Sequence, residues 1–209
     1  MSPRGVTIPD VRERLFSAAE RVLAREGPGG LTGRAITGEA GCAKGLLNAH
    51  FAGLDEFLAE LLLDRFTRAA RQADDLPARA GQGTVAGNLR DVTDSLLSSA
   101  GPTISGLTLA RPAASQRIRA ALQDGAPGFT SIERSIAAYL DAERERGRVA
   151  ADADTDAVAL ALVGTVHHLL MTEGWTGPTD PAGQADQLVA MLAGAVGTAA
   201  TAGGAAAGT

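Results

Sequence analysis

The stretch from Leu31 to Phe51, LTGRAITGEAGCAKGLLNAHF, constrains the fold more than any other part of the sequence. Thr32 is suited to cap a helix, and Leu31 stands where an apolar residue packs against Ile36 in the first turn. Gly41 follows that helix at a position that favours positive φ. The pattern predicts a short helix, a tight glycine turn and a second short helix.

The second helix is predicted to run from Lys44 to about His50, with Leu47 and Phe51 four residues apart as its buried stripe. Its other face is small and polar. Two short helices joined by a glycine turn, one with such an outer face, can present a helix to the major groove of DNA. The stretch therefore predicts a helix-turn-helix, although the same pattern also occurs in helical hairpins inside a core.

A first amphipathic helix is predicted ahead of this unit, with an apolar stripe from Val11 to Val22 and Gly27 as its stop. Three helices that each expose one apolar stripe can bury it only against one another. The sequence thus predicts a tri-helical DNA-binding head over residues 1–53. A long helix follows, with acidic residues in its first turn, where the helix dipole favours them, and it runs to about Asp75.

The remainder, residues 54–197, is predicted to be helical, because stripes of helical period recur and alternating β-branched runs are absent. Residues 81–86 fit a loose dinucleotide-binding pattern, but no buried strand precedes them, so they indicate a loop that starts a helix. Thr130 with Glu133 indicates another helix start. The prediction is an all-α protein with a larger helical body and a disordered Gly/Ala tail over residues 198–209.

The charge distribution fits a DNA-binding head on an acidic body. Residues 1–51 carry seven basic and five acidic side chains, a balance of +2, whereas the rest carries 12 basic and 19 acidic groups, a balance of -7. No run approaches the roughly 18 apolar residues of a membrane span, and the first residues lack the apolar block of a secretory signal. One cysteine cannot form an internal disulfide. These features predict a cytoplasmic protein with no membrane partner.

The segment from Val11 to Leu62 resembles the N-terminal domain of TetR-family transcriptional regulators. The resemblance is carried by the first helix and by residues spread over the segment: Gly27, Leu31-Thr32, Ile36, Ala40-Gly41, Lys44-Gly45, Leu47, His50-Phe51 and Phe57-Leu58. Members of this family bind operator DNA as dimers and release it when a small molecule enters the C-terminal domain. The resemblance implies a ligand-responsive regulator, most simply a repressor on a pseudo-palindromic operator.

By position in the family motif, the resemblance also implies a set of DNA-contacting residues: Thr32, Arg34, Ala43, Lys44, Gly45, Asn48 and His50. The sequence departs from the family pattern at Leu46, Asn48 and Leu54, which replace the usual Thr, Tyr and Lys. Each replacement removes a usual contact to a backbone phosphate, and such contacts supply much of the affinity. The alternative is therefore a ligand- or partner-binding dimer that has lost specific operator binding.

The last two predicted helices carry a dimerisation signal. The helix from Thr155 to Glu173 has apolar or small residues on two sides, so one side can join the core and the other a partner. The final helix opens at Asp180-Pro181. The predicted interface residues of the homodimer are Ala157, Ala161, Gly164, His168, Leu188, Met191, Leu192 and Ala195. Two helices from each subunit would build a four-helix interface, as is common in the family.

The body is expected to bind a small, largely apolar molecule. The candidate lining residues are Phe66, Leu96, Leu107, Tyr139 and His168. Adjacent His167 and His168 point about 100° apart on a helix and have no evident third partner, so no metal site is predicted. The sequence contains no recognisable phosphate-binding loop or catalytic constellation. It favours a protein with no enzymatic role and no cofactor.

Overall fold

The computed structural model describes residues 9–97, 101–172 and 180–197 of the 209-residue chain. The predicted tail at 198–209 lies outside these ranges. Within them the chain forms ten α-helices, with short 3-10 turns at Pro28–Gly30 and Pro77–Arg79. The helices are α1 (Pro9–Glu26), α2 (Gly33–Glu39), α3 (Leu46–His50), α4 (Leu54–Asp74), α5 (Val85–Leu96), α6 (Gly101–Leu109), α7 (Pro112–Gln123), α8 (Phe129–Glu145), α9 (Thr155–Thr172) and α10 (Pro181–Val196). The all-α prediction is confirmed.

Helices α1 to α3 form the head, in which each helix turns its apolar stripe inward. Leu15, Ile36 and Leu47 are almost fully buried. Thr32 caps α2, because its hydroxyl accepts a hydrogen bond from the Ala35 N–H at 3.1 Å. Gly41 leaves α2 with a φ of 62°, a left-handed conformation that suits glycine. The predicted cap and turn of the helix-turn-helix are confirmed.

The second helix of the motif is shorter than predicted. Lys44 and Gly45 belong to the turn, and α3 extends only from Leu46 to His50. The Leu46 N–H donates to the Ala43 carbonyl at 2.9 Å, closing a turn, and Gly45 at the N-cap has no side chain to cap the helix. The helix therefore begins later than the stripe suggested.

Helix α4 packs against both the head and the body (α4 to α10). Near its start, Phe57 stacks with Phe16 at 5.5 Å and Phe51 at 5.1 Å between ring centroids. Farther along, Arg65 donates two hydrogen bonds to the Glu20 carboxylate of α1, at 2.7 and 2.8 Å. A displacement of α4 would therefore move the head with it.

The body is a helical bundle in which α8 packs on α9, α4 packs on α6, α7 and α8, and α5 packs on α10. Thr84 caps α5 by accepting a hydrogen bond from the Gly87 N–H at 3.0 Å. This confirms that residues 81–86 are a loop that starts a helix. Behind this loop, Asn88 donates to the Tyr139 hydroxyl at 2.9 Å, and Glu143 accepts from the Gly81 N–H at 3.2 Å.

The start of α8 differs from the prediction. Gly128 is the N-cap residue, and its N–H donates to the Ser131 hydroxyl at 3.1 Å. Thr130 lies inside the helix, past its true start. The predicted pairing of Thr130 with Glu133 is wrong, because a serine three residues after the glycine supplies the capping oxygen instead.

Helix α9 is closer to membrane-span composition than the sequence pattern suggested. Its 18 residues reach a mean hydropathy of 1.3, enough by length and composition to cross a bilayer. Its packing is that of a core helix, because Val158, Leu162 and Val166 are buried against neighbouring helices. The opposite side of the same helix is exposed, including Leu160 with 58% of its surface accessible.

Candidate DNA-binding surface and ligand cavity

The predicted DNA-contacting residues lie on α2, the following turn and α3. His50 is half-buried. The other predicted residues are exposed: Thr32, Arg34, Ala43, Lys44, Gly45 and Asn48. The Thr32 hydroxyl is already occupied as the cap of α2. The side chains that remain available on this surface (α2, the turn and α3) are chiefly those of Arg34, Lys44 and Asn48.

Most other arginines of the head are held by partners within the protein. Arg12 pairs with Glu60 at 2.7 Å, Arg14 donates to the Ala40 carbonyl at 3.0 Å, and Arg21 and Arg25 both bind Glu39. In the described part of the chain, Arg34 and Lys44 have neither an ion pair nor a side-chain hydrogen bond. Both cations can therefore bind an external anion.

Glu39 is the only acidic residue of the helix-turn-helix segment 31–51. Hydrogen bonds from Arg21 and Arg25 lower the pKa of the Glu39 carboxyl and hold it as a paired carboxylate. Its negative charge is therefore offset next to the surface that carries Arg34 and Lys44. The charges left unpaired on that surface in the described chain are the cations Arg34 and Lys44, although the whole chain has a net charge of -5.

Two positions that depart from the family pattern serve packing. Leu46 is half-buried beside Val11, Leu15 and Cys42, in the crevice between α1 and the turn. Leu54 packs against the edge of the hydrophobic core at the start of α4. Where the family commonly contacts a phosphate, Leu54 thus packs on the core and Leu46 lines a crevice of the head.

Residues 15–61 match the family model described as bacterial regulatory proteins, tetR family. The match covers most of α1, then α2, the turn, α3 and the first part of α4. Residues 15–61 are a TetR-family N-terminal domain. The resemblance predicted from the sequence is thereby confirmed for the head. No curated protein matches the chain in a sequence comparison.

Solved structures with the TetR fold extend the similarity to the whole chain. A TetR transcription regulator from Haloarcula marismortui is 20% identical, covers 91% of this chain and 100% of its own, and superposes with a TM-score of 0.59. The reduced form of E. coli NemR is 17% identical over 92% and 100% of the two chains, with a TM-score of 0.62. The multidrug binding protein EbrR, complexed with imidazole, is 22% identical over 91% and 97%, with a TM-score of 0.51.

Behind the TetR-family head, the body has a cavity of about 470 Å³, open to solvent on one side, between α4, α6, α7, α9 and the start of α8. Its walls are mainly apolar and aromatic. Phe66 packs edge-on against Phe129 at 4.8 Å, and Phe129 in turn against His167 at 5.0 Å. The full lining comprises Leu62, Phe66, Ser105, Thr108, Leu109, Ser115, Ile118, Arg119, Leu122, Gln123, Gly128, Phe129, His167 and Met171.

Of the five candidate ligand-binding residues, Phe66 alone lines this cavity. Tyr139 is fully buried in the hydrogen-bonded group with Asn88, and Leu96 lies in the core beside a separate crevice. Leu107 is half-buried outside the cavity wall, and His168 is exposed. The helical turn of about 100° per residue directs His167, the neighbour of His168, toward the cavity instead.

One signal in the sequence could have located the cavity. The chain has only five phenylalanines, and three of them, at positions 16, 51 and 57, form the aromatic cluster that joins the head to α4. The two that remain, Phe66 and Phe129, both line the cavity. The scarcity of aromatic side chains could therefore have pointed to Phe129.

Two ion pairs connect the cavity wall to the start of α4. Arg111, just before α7, binds Asp55 at 2.5 Å, and Arg117 of α7 binds Glu56 at 3.1 Å. Helix α7 also contributes Ser115, Ile118 and other residues to the cavity. The same helix thus touches the cavity on one side and the first turn of α4 on the other.

The residues predicted for a dimer interface lie on one outer side of α9 and α10. On α9, Ala157, Ala161, Gly164 and His168 are exposed. On α10, Met191 is 61% exposed, Ala195 is exposed, and Leu188 and Leu192 are half-buried. Leu160 on α9 and Met191 on α10 are large apolar side chains that are more than half exposed. In the described residues no group of His, Cys, Asp or Glu is placed to hold a metal ion.

Proposed function

We propose that this chain is a homodimeric DNA-binding transcriptional regulator, acting as a repressor that a small molecule releases from a pseudo-palindromic operator. The observation that carries this proposal is the surface of the TetR-family head. Arg34 and Lys44 are exposed and unpaired within the described chain, while most neighbouring arginines are held by acids or carbonyls. An anion such as DNA satisfies such cations.

Each residue of the surface has a different expected role. Arg34, on α2, is expected to read a base edge with its forked guanidinium group. Lys44, in the turn, is expected to contact a phosphate, as are the polar side chains of Asn48 and His50 on α3. Because Leu46 and Leu54 pack against the head, fewer groups are left to bind phosphate. The complex should therefore be weak, depend on salt with a shallow slope, and be sensitive to the loss of any one cation.

Dimerisation is supported by the exposed apolar face of α9 and α10. Leu160 and Met191 are largely exposed although they are apolar, and small residues beside them, Ala161 and Gly164, permit close approach of a second helix. A second copy of the chain seated on this face would cover both. Two heads would then be held at a fixed separation for successive major grooves.

Release by a ligand is supported by two walls of the cavity, α4 and α7, which are joined by ion pairs. A molecule in the cavity contacts the side of α7 that bears Ile118, while Arg117 and Arg111 bind the first turn of α4. Helix α4 is packed on the head through Phe57. A ligand that prefers one position of α7 would shift the spacing of the two heads, which lowers the affinity for the operator.

The proposal is tested by fluorescence anisotropy with labelled DNA fragments that tile the region upstream of the coding sequence, at low salt. We expect one fragment to bind about 1,000-fold or more tightly than random DNA of equal length. Uniformly weak binding to every fragment would instead favour the alternative, a dimer whose head no longer recognises an operator.

A further inference from the structure

One residue of the cavity lining carries a buried polar atom without a hydrogen-bond partner. Ser105, on α6, is a lining residue of the cavity, and its buried hydroxyl has no hydrogen-bond partner among the described residues. The other two hydroxyls of the lining are occupied: Thr108 donates to the Ile104 and Ser105 carbonyls, and Ser115 donates to the Thr108 carbonyl. A buried hydroxyl without a hydrogen-bond partner lowers the stability of the protein unless a bound molecule supplies the partner.

The charge of the cavity favours one sign of ligand. Arg119 on α7 is the charged residue among the described lining residues, and no aspartate or glutamate stands beside it there. Its guanidinium has neither an ion pair nor a hydrogen bond in the described chain. A cationic ligand would therefore meet a like charge and no counter-ion, whereas a carboxylate could bind Arg119 in a bidentate manner.

The remaining walls favour a flat, apolar molecule. Phe66, Phe129 and His167 line the wall in successive edge-to-face contacts, with centroid separations of 4.8 and 5.0 Å. At the cavity wall Leu109 is 55% exposed and Leu122 is 39% exposed. A bound aromatic ring would cover these leucines. Removing the apolar surface of the ring and of the leucines from water would stabilise the complex.

Resting on the ligand-responsive function proposed above, we propose that the cavity takes a small aromatic carboxylic acid that carries a second polar group, a hydroxyl or a carbonyl. The ring lies against Phe66 and Phe129, the carboxylate binds Arg119, and the second group hydrogen-bonds with the Ser105 hydroxyl. Ser105 can donate to a carbonyl or exchange a hydrogen bond with a hydroxyl, so both kinds of group fit.

The test uses four naphthalene probes of the same shape, whose binding to the full chain is measured by their own fluorescence. These are 6-hydroxy-2-naphthoate, its methyl ester, 2-naphthoate, and 6-hydroxy-2-naphthylmethylamine. We expect the hydroxy acid to bind most tightly. Loss of the charge in the ester should weaken binding about threefold to tenfold, and loss of the hydroxyl in 2-naphthoate about tenfold. The amine should bind least.

Variants assign each preference to its residue. Arg119→Gln should remove the difference between acid and ester, and Ser105→Ala should remove the difference between 6-hydroxy-2-naphthoate and 2-naphthoate. Arg146→Gln, which makes the same charge change at the exposed far end of α8, should behave as the parent. If Ser105→Ala does not fold, the Arg119 comparison still decides the sign of the ligand's charge.

Three outcomes would overturn the proposal. The first two are that the amine binds as tightly as the acid, or that Arg119→Gln still binds the acid more tightly than the ester. The third is that no probe binds with a dissociation constant below 1 mM, which corresponds to a binding free energy of about −4 kcal/mol. Titration of operator DNA with the same preparations separates this failure from failure of the proposed function. Specific DNA binding without probe binding refutes the ligand class alone, whereas probe binding without specific DNA binding refutes the DNA-binding role alone.

Discussion

Arg117 on α7 binds Glu56 in the first turn of α4, with 3.1 Å between Nη2 and Oε2. The pair is partly exposed, so its contribution to the free energy of unfolding is small, about 0–1 kcal/mol. Its position matters more than its strength, because α7 lines the ligand cavity and α4 packs on the DNA-binding head. The pair therefore links one wall of the cavity, α7, to the helix that packs on the head.

Arg117→Ala should weaken the link between cavity and head without lowering the affinity for a cavity ligand. The measurement is the fold-change in the dissociation constant for operator DNA when 6-hydroxy-2-naphthoate saturates the cavity. We expect the fold-change to fall in the variant, while probe binding alone stays as in the parent. Arg79→Ala, which removes the exposed pair with Asp91 elsewhere in the body, is the control. An unchanged response in Arg117→Ala would exclude this pair as the route.

Arg34→Ala and Lys44→Ala should weaken DNA binding in different ways. Arg34→Ala should lose about 1–3 kcal/mol of binding free energy on the operator, because a bidentate contact to a base is lost, and little on random DNA. Loss of a phosphate contact should weaken Lys44→Ala on all sequences and lower the salt slope by about one. Anisotropy titrations at several salt concentrations measure both. Arg21→Ala serves as the control, because Arg25 still pairs with Glu39 in that variant. Parent-like binding by both variants would show that other residues form the contacts.

Thr32→Ala should lower the free energy of unfolding of the head by about 0.5–2 kcal/mol, because the Ala35 N–H loses its capping oxygen. The effect should be clear because α2 has only seven residues and contains Gly38, a poor helix former. Urea denaturation followed by circular dichroism is the measurement. Thr130→Ala, inside α8 and exposed, should change stability little. Equal effects of the two substitutions would refute the capping role.

The phenol of Tyr139 should lose its proton at a higher pH than an exposed tyrosine does. Burial, the largest cause, raises the pKa of Tyr139 to about 12, and the neighbouring Glu143 adds to the rise while the Asn88 hydrogen bond opposes it. Tyr139 is the only tyrosine, so absorbance of tyrosinate reports it alone. The folded protein should give a midpoint near 12 and the urea-unfolded protein one near 10.

The same shift predicts how stability depends on pH. A raised pKa in the folded state means that the protonated phenol is favoured by folding. The stabilisation is therefore complete below about pH 10 and is lost as the pH rises toward 12. Tyr139→Phe should flatten the pH dependence of the free energy of unfolding in that range. A parent whose stability does not fall between pH 10 and 12 would contradict the assignment.

Met191→Glu and Leu160→Glu should each dissociate the dimer, because a charge would be buried in the apolar face of α9 and α10. Sedimentation velocity should give one protomer for the variants and two for the parent. The affinity for operator DNA should fall when the dimer dissociates, since both heads are needed. Ala138→Glu, at an exposed position of α8, is the control. A dimeric Met191→Glu protein would place the interface elsewhere.

The head can be predicted in detail from the sequence because its determinants are local. Thr32, Gly27 and Gly41 act on the residues next to them, so capping and turn chemistry can be recognised in the sequence. The start of α3 is harder to predict, because no side chain caps that helix. Lys44 and Gly45 directly precede the stripe of Leu47 and Phe51 and yet close a turn.

The cavity could not be predicted, because it depends on which faces of distant helices meet. His167 and His168 are equivalent in the sequence, and only the rotation of α9 in the bundle turns His167 to the cavity. Tyr139 is as good a pocket candidate as any aromatic residue until Asn88 is found within hydrogen-bonding distance. Ser105 carries no periodic signal at all.

Selection of bound DNA from a pool of random sequences tests the proposed operator recognition most directly, because the operator sequence need not be known beforehand. We expect enrichment of an inverted repeat whose half-sites are centred about 34–36 Å apart, one turn of the duplex, or a multiple of it. The same selection with Arg34→Ala should lose preference at one position in each half-site. A pool that stays random after repeated rounds, although the protein binds it at low salt, would contradict specific recognition of an operator.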